Sequence, residues 1–272
     1  MTLHGLYILP SLFTAANLIL GLISVLCSIH GEFTTASWCI MGSIIMDVLD
    51  GRVARWTKTT SSFGIEFDSL ADLVSFGVAP SILMYQMVLQ TMAKPGITIA
   101  VFYVVAGALR LARFNIKAHE GVSSSNYMGL PIPAAAGILA SFALSYELFE
   151  NGSEITVKTI PIVMEKMPFI FKSIPILMVV ISILMISSVP YAAMKNFKWN
   201  RPKSFQLFTL VVIGIMLVIS YPQNTIFIIF LLYLLSGITG YLWRYIRLRQ
   251  SLSLAARLKK NTGDTAGPED RK

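Results

Sequence analysis

Six aspartates occur in this chain of 272 residues, and four of them, Asp47, Asp50, Asp68 and Asp72, fall within a single stretch of 26. Asp264 and Asp270 lie far away, near the C-terminal end. Asp47 and Asp50 are three residues apart, and Asp68 and Asp72 are four apart, so each pair occupies one face of a helix. A short turn, Thr57–Phe63, separates the pairs. It makes their helices antiparallel neighbours and lets four carboxylates converge. Such a cluster repels itself without a cation. Hard oxygen ligands suit Mg²⁺, Mn²⁺ or Ca²⁺ better than zinc. Two such ions about 4 Å apart suit an in-line phosphoryl displacement. Gly51 and Ala54 interleave with the carboxylates and leave room for a substrate to approach. Gly64, Ala71, Ser75, Gly77 and Ala79 keep the second helix slim, which suits close packing or a cleft.

The elements that carry these residues are membrane spans. Hydrophobic residues make up 55% of the chain and charged residues 13%, against about 25% charged in a typical soluble domain. The mean hydropathy is +0.68. Segments of about 20 apolar residues are long enough to cross a bilayer as helices. Eight are predicted: Leu6–Ile29, Phe33–Arg55, Gly64–Leu89, Gly96–Ile116, Gly129–Phe149, Phe169–Met194, Phe205–Tyr221 and Thr225–Trp243. The expected fold is therefore an all-α polytopic bundle, with residues 1–245 in the membrane domain. Residues 246–272 form a basic tail that begins as a helix continuation and ends disordered.

The net charge of +8 would suit nucleic acid, but its distribution argues for topology instead. Of the 22 Lys and Arg, 18 fall in the segments Arg52–Lys58, Arg110–Lys117, Lys195–Lys203 and the tail from Arg244. The positive-inside rule places those segments, and both termini, in the cytoplasm. The four aspartates then lie at the cytoplasmic headgroup level. No nucleic-acid partner is expected. Cys27 and Cys39 lie in apolar runs and read as unpaired buried hydrophobes.

Asp47, Asp50, Gly51, Ala54, Arg55, Gly64, Asp68 and Asp72 fill every fixed position of the pattern D-x2-D-G-x2-A-R-x8-G-x3-D-x3-D. This stretch resembles the signature of the CDP-alcohol phosphatidyltransferases, a family with a six-helix membrane core that is generally dimeric. Eight spans would be that core plus two. The resemblance implies transfer of a phosphatidyl group from a CDP-linked lipid to an alcohol, with release of CMP. It implies that Asp47, Asp50 and Asp68 ligand two divalent ions, Mg²⁺ or Mn²⁺ in function and Ca²⁺ as a further occupant. Asp72 would help hold a metal and act as general base on the acceptor hydroxyl. Gly51, Ala54, Arg55 and Gly64 would line the CDP site. Thr14 and Asn17 in the first span would face the same pocket, or else form interhelical hydrogen bonds.

Three further stretches bear on the acceptor. They are Leu109–Asn115 with Arg110 and Arg113, Gly129–Gly137 with Pro131 and Pro133, and Asp68–Pro80. Together they resemble the integral-membrane class of phosphatidylserine synthases. That resemblance implies CDP-diacylglycerol and L-serine as substrates, a homodimer, and an active site at the cytoplasmic face of the cell membrane. A serine carboxylate needs a cationic partner. Arg110 and Arg113 share one helix face, and a guanidinium grips a carboxylate or a phosphate through two hydrogen bonds. Either could serve, or both could anchor the span. Asn115 reads as a polar helper of that site or as a helix-end cap. A sister enzyme using glycerol phosphate, inositol phosphate or choline carries the same signature. A divalent-cation transporter would also place carboxylates in membrane helices, but near the midplane and often with internal repeats.

Overall fold

A computed structural model describes residues 8–57, 62–119, 127–150, 168–191 and 222–263, with three isolated positions between 209 and 216. The first helix, α1 (Ile8–Ile29), is an inside-out amphipathic element. Thr14, Asn17, Gly21, Ser24 and Ser28 recur at three- and four-residue spacing and are buried. Leu12, Ile19, Leu22, Ile23, Leu26 and Ile29 face outward. A helix in water puts its apolar stripe inside. Here the surroundings are apolar, and the polar stripe seeks partners within the bundle.

Helix α2 (Phe33–Thr57) runs back alongside α1 through the tight Gly31 turn, where φ is +83°. The next span is continuous but changes pitch. Helix α3 (Ser62–Asp72) passes into a π-helical turn, Leu73–Val78, and then into α4 (Ala79–Met87). Such π turns are rare and recur at functional sites. Tyr103 donates its hydroxyl to the Phe76 carbonyl within the turn, at 3.1 Å. Helix α5 (Lys94–His119) packs on the turn and on α4, and α6 (Ile132–Glu150) lies at the centre. Every residue from Ala135 to Ser145 in α6 is buried. Helix α7 (Pro168–Ile186) packs on α5, and α8 (Pro222–Gly263) packs on α6. The Phe142 and Phe227 rings meet edge to face between α6 and α8.

The all-α expectation holds, apart from one two-residue antiparallel pair. Strand β1 (Tyr127–Met128) pairs with β2 (Pro190–Tyr191). Gly129 follows β1 with φ +81°, and a side chain there would overlap the Met185 carbonyl oxygen. Leu130 N–H donates to the Leu184 carbonyl at 3.0 Å. This approach satisfies carbonyls that the end of α7 leaves open.

Four helices among the described residues are long and apolar enough to span a membrane: Ser11–Ile29, Phe63–Met87, Lys94–Ile116 and Gln223–Tyr241. Shorter apolar helices cover Ile132–Ser145 and Ser173–Ile186. This is a membrane protein. Helix α2 has the length, but its carboxylates lower its apolar character. The predicted seventh span, Phe205–Tyr221, lies almost wholly outside the described residues. Helix α8 continues through Gly263, so the start of the basic tail is helical, and residues 264–272 lie outside the description. Cys27 and Cys39 are free, but half-buried rather than buried. Each lies between an exposed residue, Leu26 or Trp38, and a buried one, Ser28 or Ile40.

Candidate active site

The carboxylates converge beside α1, which packs on both α2 and α3. Asp47 and Asp50 project from the last turns of α2, and Asp68 and Asp72 from the last turns of α3. One oxygen from each of Asp47, Asp50 and Asp68 lies within 4.8 Å of the others. At that separation each pair of charges repels by about 3 kcal/mol at an effective dielectric of about 20. Asp50 is 6% exposed and Asp72 is 7% exposed. Water therefore screens them little.

Helix α1 supplies hydrogen bonds to two of the four. Thr14 Oγ1 donates to Asp50 Oδ2 at 3.1 Å, and Asn17 Nδ2 donates to Asp72 Oδ1 at 3.1 Å. The Asn17 carbonyl accepts hydroxyls from Ser43 of α2, at 3.2 Å, and Ser75 of the π turn, at 2.9 Å. Gly21, one turn further along α1, lets the turn come close: a side chain there would overlap Ser75 Oγ. Thr14 and Asn17 form interhelical hydrogen bonds, and their partners are the carboxylates.

The donor set fits divalent metal. Three carboxylate groups present oxygens to one another, and Asp68 Oδ1 is buried without a hydrogen-bond partner. A buried acceptor left unpaired costs about 1–3 kcal/mol, and an ion bound among these oxygens would satisfy it. Oxygen-only coordination suits a hard cation. Asp72 is absent from the group of three and is engaged by Asn17 instead.

The signature's small residues divide by surroundings. Among the described residues, a Cβ added to Gly51 would meet nothing within 4 Å. Gly51 is thus not a packing glycine, and open space adjoins it beside Asp50. Ala54 and Gly64 are half-buried. Arg55 Nε donates to the Gly51 carbonyl at 2.8 Å, which folds the guanidinium back over that space.

The two arginines of α5 part company. Arg110 is half-buried, with its Nε shielded from solvent. Arg113 Nη1 donates to the Ile186 carbonyl at 2.8 Å and so caps the end of α7, a favourable place for a cation. Asn115 exchanges hydrogen bonds with Ser69 at 3.0 and 3.2 Å, and it donates to Glu66 Oε2 at 3.4 Å. It links α5 to α3 at Ser69, between Asp68 and Asp72 in the chain. Sequence reasoning missed Gly21, Ser43, Ser69 and the π turn. The polar stripe of α1 was the available signal for the first. The others depend on contacts between distant segments.

Residues 7–171 match the family model for CDP-alcohol phosphatidyltransferase. The chain is 37% identical over 251 residues to the CDP-diacylglycerol–serine O-phosphatidyltransferase of Helicobacter pylori strain 26695, covering 91% of this chain and 97% of that protein. It is 36% identical over 158 residues to the archaetidylserine synthase of Methanothermobacter thermautotrophicus, covering 57% and 66% of the two chains. It is 44% identical over 129 residues to the CDP-diacylglycerol–serine O-phosphatidyltransferase of Methanocaldococcus jannaschii, covering 47% and 57%. With three signature carboxylates gathered in one cluster and the family model matching more than half of the chain, the chain belongs to the CDP-alcohol phosphatidyltransferase family.

Proposed function

We propose that this protein transfers the phosphatidyl group of CDP-diacylglycerol to the hydroxyl of L-serine, giving phosphatidylserine and CMP. The observation that carries the reading is the gathering of Asp47, Asp50 and Asp68 from two antiparallel helices in a chain of this family. The choice of serine rests on relatives of nearly full length that are named for that acceptor.

The chemistry asks three things of the site. It must hold a lipid pyrophosphate, bring an alcohol in line with it, and remove the alcohol's proton. Asp47, Asp50 and Asp68, with Asp72 beside them, would hold Mg²⁺ or Mn²⁺, and Ca²⁺ suits the same oxygens. The bound ions would supply positive charge where the pyrophosphate develops negative charge. Asp72 takes the proton of the serine hydroxyl on a carboxylate oxygen. The serine oxygen bonds to the phosphorus that carries diacylglycerol, the bond from that phosphorus to the CMP oxygen breaks, and CMP leaves with the electron pair. Gly51, Ala54, Arg55 and Gly64 line the CDP side, and the open space beside Gly51 supports that role. Thr14 and Asn17 serve the same side through the carboxylates they hold.

Arg110 takes the serine carboxylate or the transferred phosphate, since its guanidinium Nε is buried on α5 while Arg113 is engaged by the end of α7. Arg113 and Asn115 support that pocket by fixing α5 against α7 and α3. The donor lipid cannot leave the bilayer, so the site opens to the membrane at headgroup depth. The Lys and Arg asymmetry supports a cytoplasmic face, with eight spans and both termini inside the cell membrane. The family resemblance supports a homodimer.

The test is incorporation of labelled L-serine into chloroform-soluble lipid by the purified protein. The expected result is labelled phosphatidylserine that requires both CDP-diacylglycerol and Mg²⁺ or Mn²⁺. Folded protein that leaves all the label in the aqueous phase would reject the reading.

A further inference from the structure

We propose that Asn17 is a positioning residue for Asp72: its amide fixes one carboxylate oxygen so that the other faces the acceptor hydroxyl. The inference rests on the reading of Asp72 as the base. Asn17 Nδ2 donates to Asp72 Oδ1 at 3.1 Å, across 55 residues of sequence. An ionised carboxylate only accepts, so it dictates which end of the amide faces it. The other end carries the consequence. Asn17 is 0% exposed, and its Oδ1 is buried with no partner. The amide thus serves Asp72 and leaves its own acceptor unsatisfied.

The backbone of Asn17 is fixed as firmly as its side chain. Its carbonyl accepts Ser43 Oγ from α2 and Ser75 Oγ from the π turn. One residue therefore ties together α1, α2 and the span that carries Asp72. The location of the tie has a physical reason. The π turn begins at Leu73, immediately after Asp72. Asp72 keeps α-helical backbone angles, φ −61° and ψ −40°, so α3 sets its backbone and the contact from α1 fixes the carboxylate beyond it.

Misplacing a reacting group by about 1 Å can cost about 100-fold in rate. Asn17→Ala should therefore lower kcat for CMP release by about 10- to 100-fold, while KM for CDP-diacylglycerol and for serine stays within about 3-fold. Direct titration with CDP should give an affinity within about 3-fold of the unmodified protein. Asn17→Asp keeps the size of the side chain and replaces the donor with an acceptor, so it should lose kcat at least as severely, and it serves if the alanine variant does not fold. Unchanged kcat in either folded variant would overturn the proposal. So would a raised KM and weakened CDP affinity at unchanged kcat, which would make Asn17 a nucleotide ligand and not a positioning residue. Unmodified protein that makes no CMP with serine would instead fail the reading of the reaction itself.

Discussion

Thr14 on α1 holds Asp50 on α2: its hydroxyl donates to Asp50 Oδ2 across 3.1 Å, and both residues are buried. The first helix lies outside the signature stretch, yet it orients a signature carboxylate. Removing only the hydroxyl isolates this contribution. Thr14→Val should slow serine-dependent CMP release by about 5- to 30-fold, the equivalent of about 1–2 kcal/mol for one buried hydrogen bond to a charged group. The thermal midpoint in detergent should fall as well, since Asp50 Oδ2 loses a buried donor that valine cannot replace. An unaltered rate would mean that Asp50 is held by its other neighbours alone.

Two glycines that look alike in the sequence should fail in opposite ways. At Gly21 a methyl group would overlap Ser75 Oγ and crowd the Ser75 backbone. Gly21→Ala should destabilise the protein by about 1–3 kcal/mol through overpacking, read as a lower midpoint in a thermal-shift assay. At Gly51 the methyl group would meet nothing among the described residues within 4 Å. Gly51→Ala should therefore keep the midpoint and still impair turnover, because the open space beside Asp50 is the proposed CDP side. A Gly51→Ala protein with full activity would remove Gly51 from that site.

The arginines of α5 should separate in the same manner. Arg110 is half-buried with its Nε shielded from solvent, whereas Arg113 caps α7 through the Ile186 carbonyl. Arg110→Lys keeps the charge but loses the fork that grips a carboxylate or phosphate. It should raise KM for serine or lower kcat by about 10-fold or more, with a small effect on the midpoint. Arg113→Ala should lower the midpoint, with KM for serine within about 3-fold. The reverse pattern, with serine affinity lost at Arg113 and not at Arg110, would exchange their roles.

The parts of this molecule legible in the sequence are those set by local spacing. Asp47, Asp50, Asp68 and Asp72 lie at three- and four-residue intervals on two helices joined by a short turn, so their convergence follows from helix geometry alone. The outward apolar and inward polar faces of α1 follow from the same periodicity. The π turn does not, since Leu73–Val78 reads as ordinary helix and the change of pitch is stabilised by partners far away in sequence, Asn17 and Tyr103. The different fates of Arg110 and Arg113 were hidden for the same reason. Three residues apart on one helix face, they are distinguished only by the end of α7, which arrives more than 70 residues later. The close backbone approach of Gly129 to the terminal carbonyls of α7 is likewise set by a segment far away in sequence.

The central claim is that the carboxylate cluster drives phosphatidyl transfer to serine. The most direct measurement is CMP release from CDP-diacylglycerol by the purified protein with Mg²⁺ or Mn²⁺, supplied separately with L-serine, glycerol 3-phosphate or inositol phosphate. The account predicts CMP with serine alone, lost on chelation and lost in Asp68→Asn. CMP with a phosphorylated alcohol and none with serine, or none with any acceptor from folded protein, would contradict it.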